Sequence, residues 1–211
     1  ITPDGNGDIT VVIDAAVAQD AAGNDNDASV PVTTVYDVVA PTVSLTGVPA
    51  IVNSTAAYNV TATFSENVVG FDVSDLTITN GSASNFAGAG AVYTFDITPD
   101  GNGDITVATN ASVAQDAAGN DNDASVPVIT VYDIASPTVA LTGAPAQVNN
   151  TAAYNVTATF SENVTGFDVS DLTITNGSAS NFAGAGAVYT FDITPDGNGD
   201  ITLAINAAVA Q

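Results

Sequence analysis

Carboxylates are the only side chains in this sequence equipped for ionic chemistry. Twenty-three Asp and Glu stand against no Lys, Arg, His or Cys, a formal net charge of −23. There is no His, Cys or Lys for general-base or nucleophile duty, and isolated carboxylate pairs lack a buried cleft to tune them, so an enzyme is not expected. Without Lys or Arg a nucleic-acid partner is not expected either, because phosphate binding rests on those residues. What remains is oxygen-only ligation, which suits a hard cation such as Ca²⁺ and excludes Cys- or His-based zinc and copper sites. The most conspicuous acidic pattern is D-G-N-G-D, found at residues 4–8, 100–104 and 196–200. Asp100, Asn102 and Asp104 match the first three ligand positions of an EF-hand loop. Ile105 and Ala111 then stand where that loop needs Gly and Glu, so the stretch is not an EF-hand. The other assignment is a hairpin turn, with Pro99, Gly101 and Gly103 shaping it and Asp and Asn tolerating its dihedrals. The two roles are compatible.

These acids recur because the chain does. The decapeptide ITPDGNGDIT begins at Ile1, Ile97 and Ile193, a period of 96 residues. That is too long for a solenoid repeat and fits a small domain with its own core. Residues 1–41 read as the latter part of one unit plus a linker, 42–137 as a complete unit plus linker, and 138–211 as a unit lacking its last strand or strands. Residues 42–115 and 138–211 differ at only eight of 74 positions, as expected of an array grown by duplication. The 45% hydrophobic content argues for a folded chain despite the charge. No run of about 18 apolar residues is present, so no membrane insertion is expected.

Within the unit, apolar and polar residues alternate with period two. In AYNVTATFS, Tyr58, Val60, Ala62 and Phe64 face one way and Asn59, Thr61, Thr63 and Ser65 the other. Leu76 and Ile78, then Tyr93, Phe95 and Ile97, then Ile105 and Val107 continue the inward face. With TVSLTG, SASNFAG and SVPVITVYD this gives about seven strands, an all-β, tandem antiparallel β-sandwich architecture. NASVAQDAAGN reads as a long connection holding at most one helical turn.

VTATFSENV, GFDVSDLTITNG, TFDITPDGNGDITV, AQDAAGNDN and the linker YDVVAPTVSLTG occur in this order. Together they resemble the bacterial Ig-like repeats of giant cell-surface adhesins, of the type I secreted, RTX-type and biofilm-associated kind, along the whole unit. The resemblance implies tandem Ig-like sandwiches that act as extenders on the bacterial cell surface, projecting a distal adhesive domain, with Ca²⁺ stiffening the junctions. The sequence departs from that pattern at FSENV, where Asn67 and Asn163 replace a frequent proline, and in the linkers DVVAP and DIASP. The acidic positions are kept.

Threaded as an Ig-like sandwich, each junction gathers acids from two neighbours. The first would collect Asp37, Glu66, Asp116, Asn120 and Asp72 with Asp4 and Asp8 from the preceding unit. The second would collect Asp133, Glu162 and Asp168 with Asp100 and Asp104. The alternatives are a solvated surface acid for Asp37, Glu66, Asp133 and Glu162, a backbone cap for Asp116, and a solvated strand-start acid for Asp72 and Asp75 of GFDVSD. The expected partners are neighbouring repeats of the same chain. A second functional reading is the subunit of a self-assembling extracellular filament, in which residues 20–37 of one copy supply what 138–211 of another lacks. Ligand binding by the Thr-rich outward faces is a third and weaker reading, such faces being ordinary on exposed strands.

Overall fold

A computed structural model describes residues 1–149 and 151–207. The last four residues of the third segment, 208–211, thus lie outside the described residues. The chain divides into two compact units, Ile1–Ile134 and Ala135–Gln211.

The first unit opens with an antiparallel pair, β1 (Gly7–Val11) and β2 (Val32–Tyr36), in the register Gly7↔Tyr36 to Val11↔Val32. The complete repeat follows as two sheets. One is ordered β3 (Val43–Thr46), β5 (Tyr58–Val68), β7 (Gly81–Pro99). The other is ordered β4 (Ile51–Val52), β9 (Val128–Tyr132), β8 (Gly103–Thr109), β6 (Leu76–Thr79). All pairings in it are antiparallel except β4 with β9, which run parallel. In the second unit β10 (Val139–Thr142), β11 (Tyr154–Val164) and β13 (Gly177–Pro195) form one sheet, while β12 (Leu172–Thr175) pairs with β14 (Thr202–Ile205).

Period-two patterning produces these strands because alternate side chains of a pleated strand reach opposite faces. Val60, Ala62, Phe95, Ile97, Ile105 and Val107 are fully buried between the sheets. An aromatic cluster anchors the end nearest the linker: Phe71 meets Phe64 and Tyr93 edge-on, each at 5.1 Å between ring centroids. Edge-to-face packing of this kind adds stability beyond area burial. Val156, Phe191 and Ile193 repeat the arrangement in the second unit.

Three local features differ from the sequence reading. The nineteen residues of β7 double back on themselves: Asn85 Nδ2 reaches Asp96 Oδ2 at 2.8 Å, and Gly88 abuts Val92 and Tyr93 so closely that a Cβ would fall 2.4 Å from the Val92 oxygen. SASNFAG and VYTFDIT are therefore two arms of one hairpin. The short β4 went unforeseen, since two residues carry no periodicity. No helix forms in NASVAQDAAGN, which is held by turns and isolated bridges at Gln115; the helical turns lie instead at Val73–Asp75 and Val169–Asp171. Asp72 and Asp168 dictate this, their side chains capping the turn while Asp75 and Asp171 answer back to the cap amides.

Candidate metal centre

β5 carries a bulge that sets up the site. Its pairing with β7 jumps from Thr63↔Val92 to Val68↔Gly90, so residues 64–67 oppose a single residue of β7. Such bulges re-aim side chains. Phe64 and Val68 remain in the core, and Glu66 projects, partly buried, toward the linker. Gly90 accommodates the bulge with φ +66, and a Cβ there would approach Asn67 Oδ1 to 2.8 Å. Immediately after β5, Val69 and Gln115 exchange backbone hydrogen bonds of 2.8 and 3.0 Å. That bridge brings the D-A-A-G-N loop alongside Glu66.

Asp116 heads this loop. One carboxylate oxygen accepts from the backbone amides of Ala118 (2.8 Å) and Asn120 (2.9 Å), and the other from Asn120 Nδ2 (2.8 Å). The residue is only 5% exposed. The Asn120 side-chain amide foremost, aided by the backbone amides of Asn120, Ala118 and Gly119, outweighs burial and holds its carboxyl below the ordinary aspartate value. The same Nδ2 donates to the backbone carbonyl of Asp37 at 3.2 Å. Asn120 thus acts through its side-chain nitrogen as a clip between loop and linker.

Asp37 is held from both sides. Its Oδ1 accepts from Val39 N at 3.0 Å and from Asn6 Nδ2 at 3.2 Å. Asn6 Oδ1 in turn accepts from Val38 N at 2.8 Å. The middle Asn of D-G-N-G-D therefore grips the backbone that follows it. Asn102 does the same to Ile134 N at 2.8 Å. This function was missed in the sequence, where Asn102 was weighed only as a ligand position of D-x-N-x-D; its retention in all three copies was the available signal.

Asp37, Glu66 and Asp116 present carboxylate oxygens within 4.8 Å of one another. Glu66 shows the electrostatic consequence: partial burial, then the negative charges of Asp116 and Asp37, push its carboxyl above the ordinary glutamate value. Three carboxylates with the Asp37 carbonyl beside them make an all-oxygen donor set, the chemistry a hard divalent cation requires. The residues fit such an ion, with water completing its six to eight ligands.

The remaining candidates lie elsewhere. Asp4, Asp8, Asp100 and Asp104 are exposed on the turns and strand starts of D-G-N-G-D, outside the triad. The second turn is shaped by Asn80 Nδ2, which donates to the carbonyls of Gly101 and Gly103. Asp72 Oδ1 accepts from the amide (2.7 Å) and hydroxyl (2.6 Å) of Ser74, and Asp168 does likewise with Ser170. Those serine hydroxyls foremost lower both carboxyls. Asp133 closes the first unit, its amide donating to Val52 O at 3.0 Å. Glu162 is exposed on β11. Asp20, which the sequence reading did not select, repeats the Asp116 cap with Ala22 and Asn24, so the D-A-A-G-N loop is self-contained.

A family model described as the bacterial Ig-like domain matches residues 37–131 and 133–211. No curated protein matches the chain. Among solved structures the chain is similar to invasin, a bacterial integrin-binding protein, at 15% identity and a TM-score of 0.43, over 98% of this chain and 52% of that one. The chain thus spans about half the length of that structure.

Proposed function

The chain belongs to the bacterial Ig-like domain family, and from that premise we propose that it is a run of extender repeats in an extracellular bacterial adhesin, stiffened at its junctions by Ca²⁺. The observation that supports this reading most is the position of Asp37. Its linker is gripped by Asn6 of the preceding repeat and by Asn120 of the following one, and its carboxylate converges with Glu66 and Asp116. An ion on that triad would offset the repulsion among three charges and tie linker, β5 bulge and loop together. Removing it would leave like charges a few ångströms apart on a chain with no basic side chain to compensate. Pro41, fully buried, already restricts the linker, and its carbonyl accepts from Asp123 N at 2.9 Å. Repeats joined in this way reach far from a cell with little sequence invention, and the distal adhesive domain would be carried elsewhere in the protein.

The test is a thermal melt of the 211-residue chain at fixed ionic strength in millimolar Ca²⁺, in Mg²⁺ and in EDTA. A ligand present at about a hundred times its Kd adds roughly 2.7 kcal/mol. The expected result is a Tm several degrees higher in Ca²⁺ than in EDTA, abolished in Asp37→Asn and only weakly reproduced by Mg²⁺. Equal melting in Ca²⁺ and EDTA would refute the stiffening role.

A further inference from the structure

Asn is followed by Gly at Asn6, Asn80, Asn102, Asn176 and Asn198. Such a pair can react with itself, because no side chain on the glycine screens its backbone nitrogen from the Asn amide carbon. The fold treats these bonds in two different ways.

Asn80 and Asn176 are locked. Asn80 Nδ2 donates to the carbonyls of Gly101 and Gly103, and the Asn80 backbone carbonyl accepts from Asp100 N at 3.2 Å. Asn176 Nδ2 donates to the Gly197 carbonyl, and its backbone carbonyl accepts from Asp196 N, each at 3.2 Å. The glycines that follow are packed in: a Cβ on Gly81 or Gly177 would fall 3.1 Å from the oxygen of Thr98 or Thr194. Losing either side-chain nitrogen would break the bonds that shape a turn, where the amide carbon has little room to swing.

Asn102 is the opposite case. It is exposed on its turn, and a Cβ on Gly103 would have only Asn80 Nδ2 within 4 Å, at 3.8 Å. Its Oδ1 accepts from Ile134 N at 2.8 Å. A donor there draws electron density from the amide carbon and stabilises the negative charge that gathers on oxygen during attack. Gly103 belongs to the terminal pair of the β8–β9 ladder, Gly103↔Tyr132, and ladder ends open at the least cost. Asn6 shares these features: it is exposed, its Oδ1 accepts from Val38 N at 2.8 Å, a Cβ on Gly7 would meet nothing within 4 Å, and Gly7↔Tyr36 ends its ladder.

We propose that Asn102, and Asn6 with it, is a self-modification site at which the linker grip is slowly deamidated. Gly103 N loses its proton to solvent and bonds to Asn102 Cγ; the Cγ–Nδ2 bond breaks, and Nδ2 takes up a proton and leaves as ammonia. Water then opens the cyclic imide at Cγ, giving aspartate, or at the backbone carbonyl carbon, giving isoaspartate. The net reaction is amide plus water to carboxylic acid plus ammonia, and water is the only co-reactant. Each event adds a negative charge between Asp100 and Asp104, and isoaspartate also lengthens the main chain of the turn by one methylene. At Asn6 the donor to Asp37 Oδ1 becomes a carboxylate facing a carboxylate, so a hydrogen bond gives way to repulsion. The age of the chain is thereby recorded at its linkers as lost grip. The inference does not rest on the cation reading.

Peptide mapping tests it. The 211-residue chain is held folded for weeks in millimolar Ca²⁺ at mildly alkaline pH, and its chymotryptic peptides are sequenced by tandem mass spectrometry. Conversion shows as the small mass gain of exchanging NH₂ for OH, and isoaspartate as a substrate for an isoaspartate-specific methyltransferase. The expected result is conversion at Asn102 about tenfold or more faster than at Asn80 and Asn176, equivalent to about 1.4 kcal/mol in barrier. In urea, with the fold gone, the three should convert at matching rates. Equal conversion of Asn80 and Asn102 in the folded chain, or an Asn102 that stays intact while the urea-unfolded chain converts, overturns the proposal.

Discussion

Ile105 and Ile201 occupy the same position in two repeats that differ at eight of the 74 positions they share, yet Ile105 is fully buried and Ile201 is not. Their flanking residues and the sheets opposite them are alike, although Ile105 lies within β8 and Ile201 just precedes β14. The difference is β9, which in the complete repeat covers Ile105 and organises Ile51–Val52 into a strand. A sandwich of this kind is sealed by its last strand: burial of one residue depends on a segment more than twenty residues further along. The same contrast divides the two D-A-A-G-N loops. Asp20 and Asp116 make the same three hydrogen bonds, but only Asp116 has a bulged β5 beside it, so only Asp116 joins a carboxylate cluster.

The largest effect that breaks this comparison is expected from paired truncations. Ile105→Ala should destabilise the complete repeat by about 2–5 kcal/mol, the range for deleting a buried branched side chain. Ile201→Ala should cost less than half as much in denaturant melts, because water already reaches its site.

Asn122 sharpens it next. This buried side chain accepts from Val113 N and Ala114 N and donates to the carbonyls of Asn110 and Asp123. Asn26 makes the corresponding four bonds in the first segment but is partly exposed. Asn122→Ala should cost about 2 kcal/mol or more, since buried backbone groups lose their partners. Asn26→Ala should cost well under half of that, because water replaces the amide. Equal losses would mean that the closed sandwich does not shield its loop.

The smallest effect is electrostatic and should change sign with the cation. The Glu66 carboxyl is raised, so the folded state holds its proton more tightly than the unfolded chain. In EDTA that contribution is fully present below the ordinary glutamate value of about 4.3 and fades as pH rises through the higher folded value. Asp116 is lowered and works oppositely: its contribution is present above about 3.9 and is lost as pH falls through its folded value. Glu66→Gln should therefore raise Tm slightly at pH 7 in EDTA and lower it in Ca²⁺, where a ligand is missing. The same sign under both conditions would show that Glu66 takes no part in ion binding. At Glu162, exposed on β11, the corresponding substitution should do little in EDTA.

Much of the fold was legible because burial alternates along a strand. Val60, Ala62, Phe95, Ile97, Ile105 and Val107 were assigned to the core from period two alone, and each is fully buried. β4 was not legible, since its two residues become a strand only through parallel pairing with β9. At the site, type and spacing identified the acids, but what each carboxylate does depends on the amides folded against it. D-A-A-G-N and G-F-D-V-S-D each hold an aspartate that caps backbone, Asp116 and Asp72, and nothing local says which one will also face a glutamate. Asn6 and Asn102 were visible as repeated letters, without the linker amides that give them a role.

The sequence by itself determined the strand pattern, the 96-residue period and a charge that nothing within the chain can neutralise, because these follow from residue type and order. The tertiary structure decided the rest. Strand alternation cannot predict a four-residue bulge, yet that bulge points Glu66 at the linker. Nor can it predict a bridge at Val69 and Gln115, which carries Asp116 about fifty positions along the chain to within 4.8 Å of Glu66. Convergence of distant carboxylates is a property of how sheets and loops close on one another, and no window of sequence contains it.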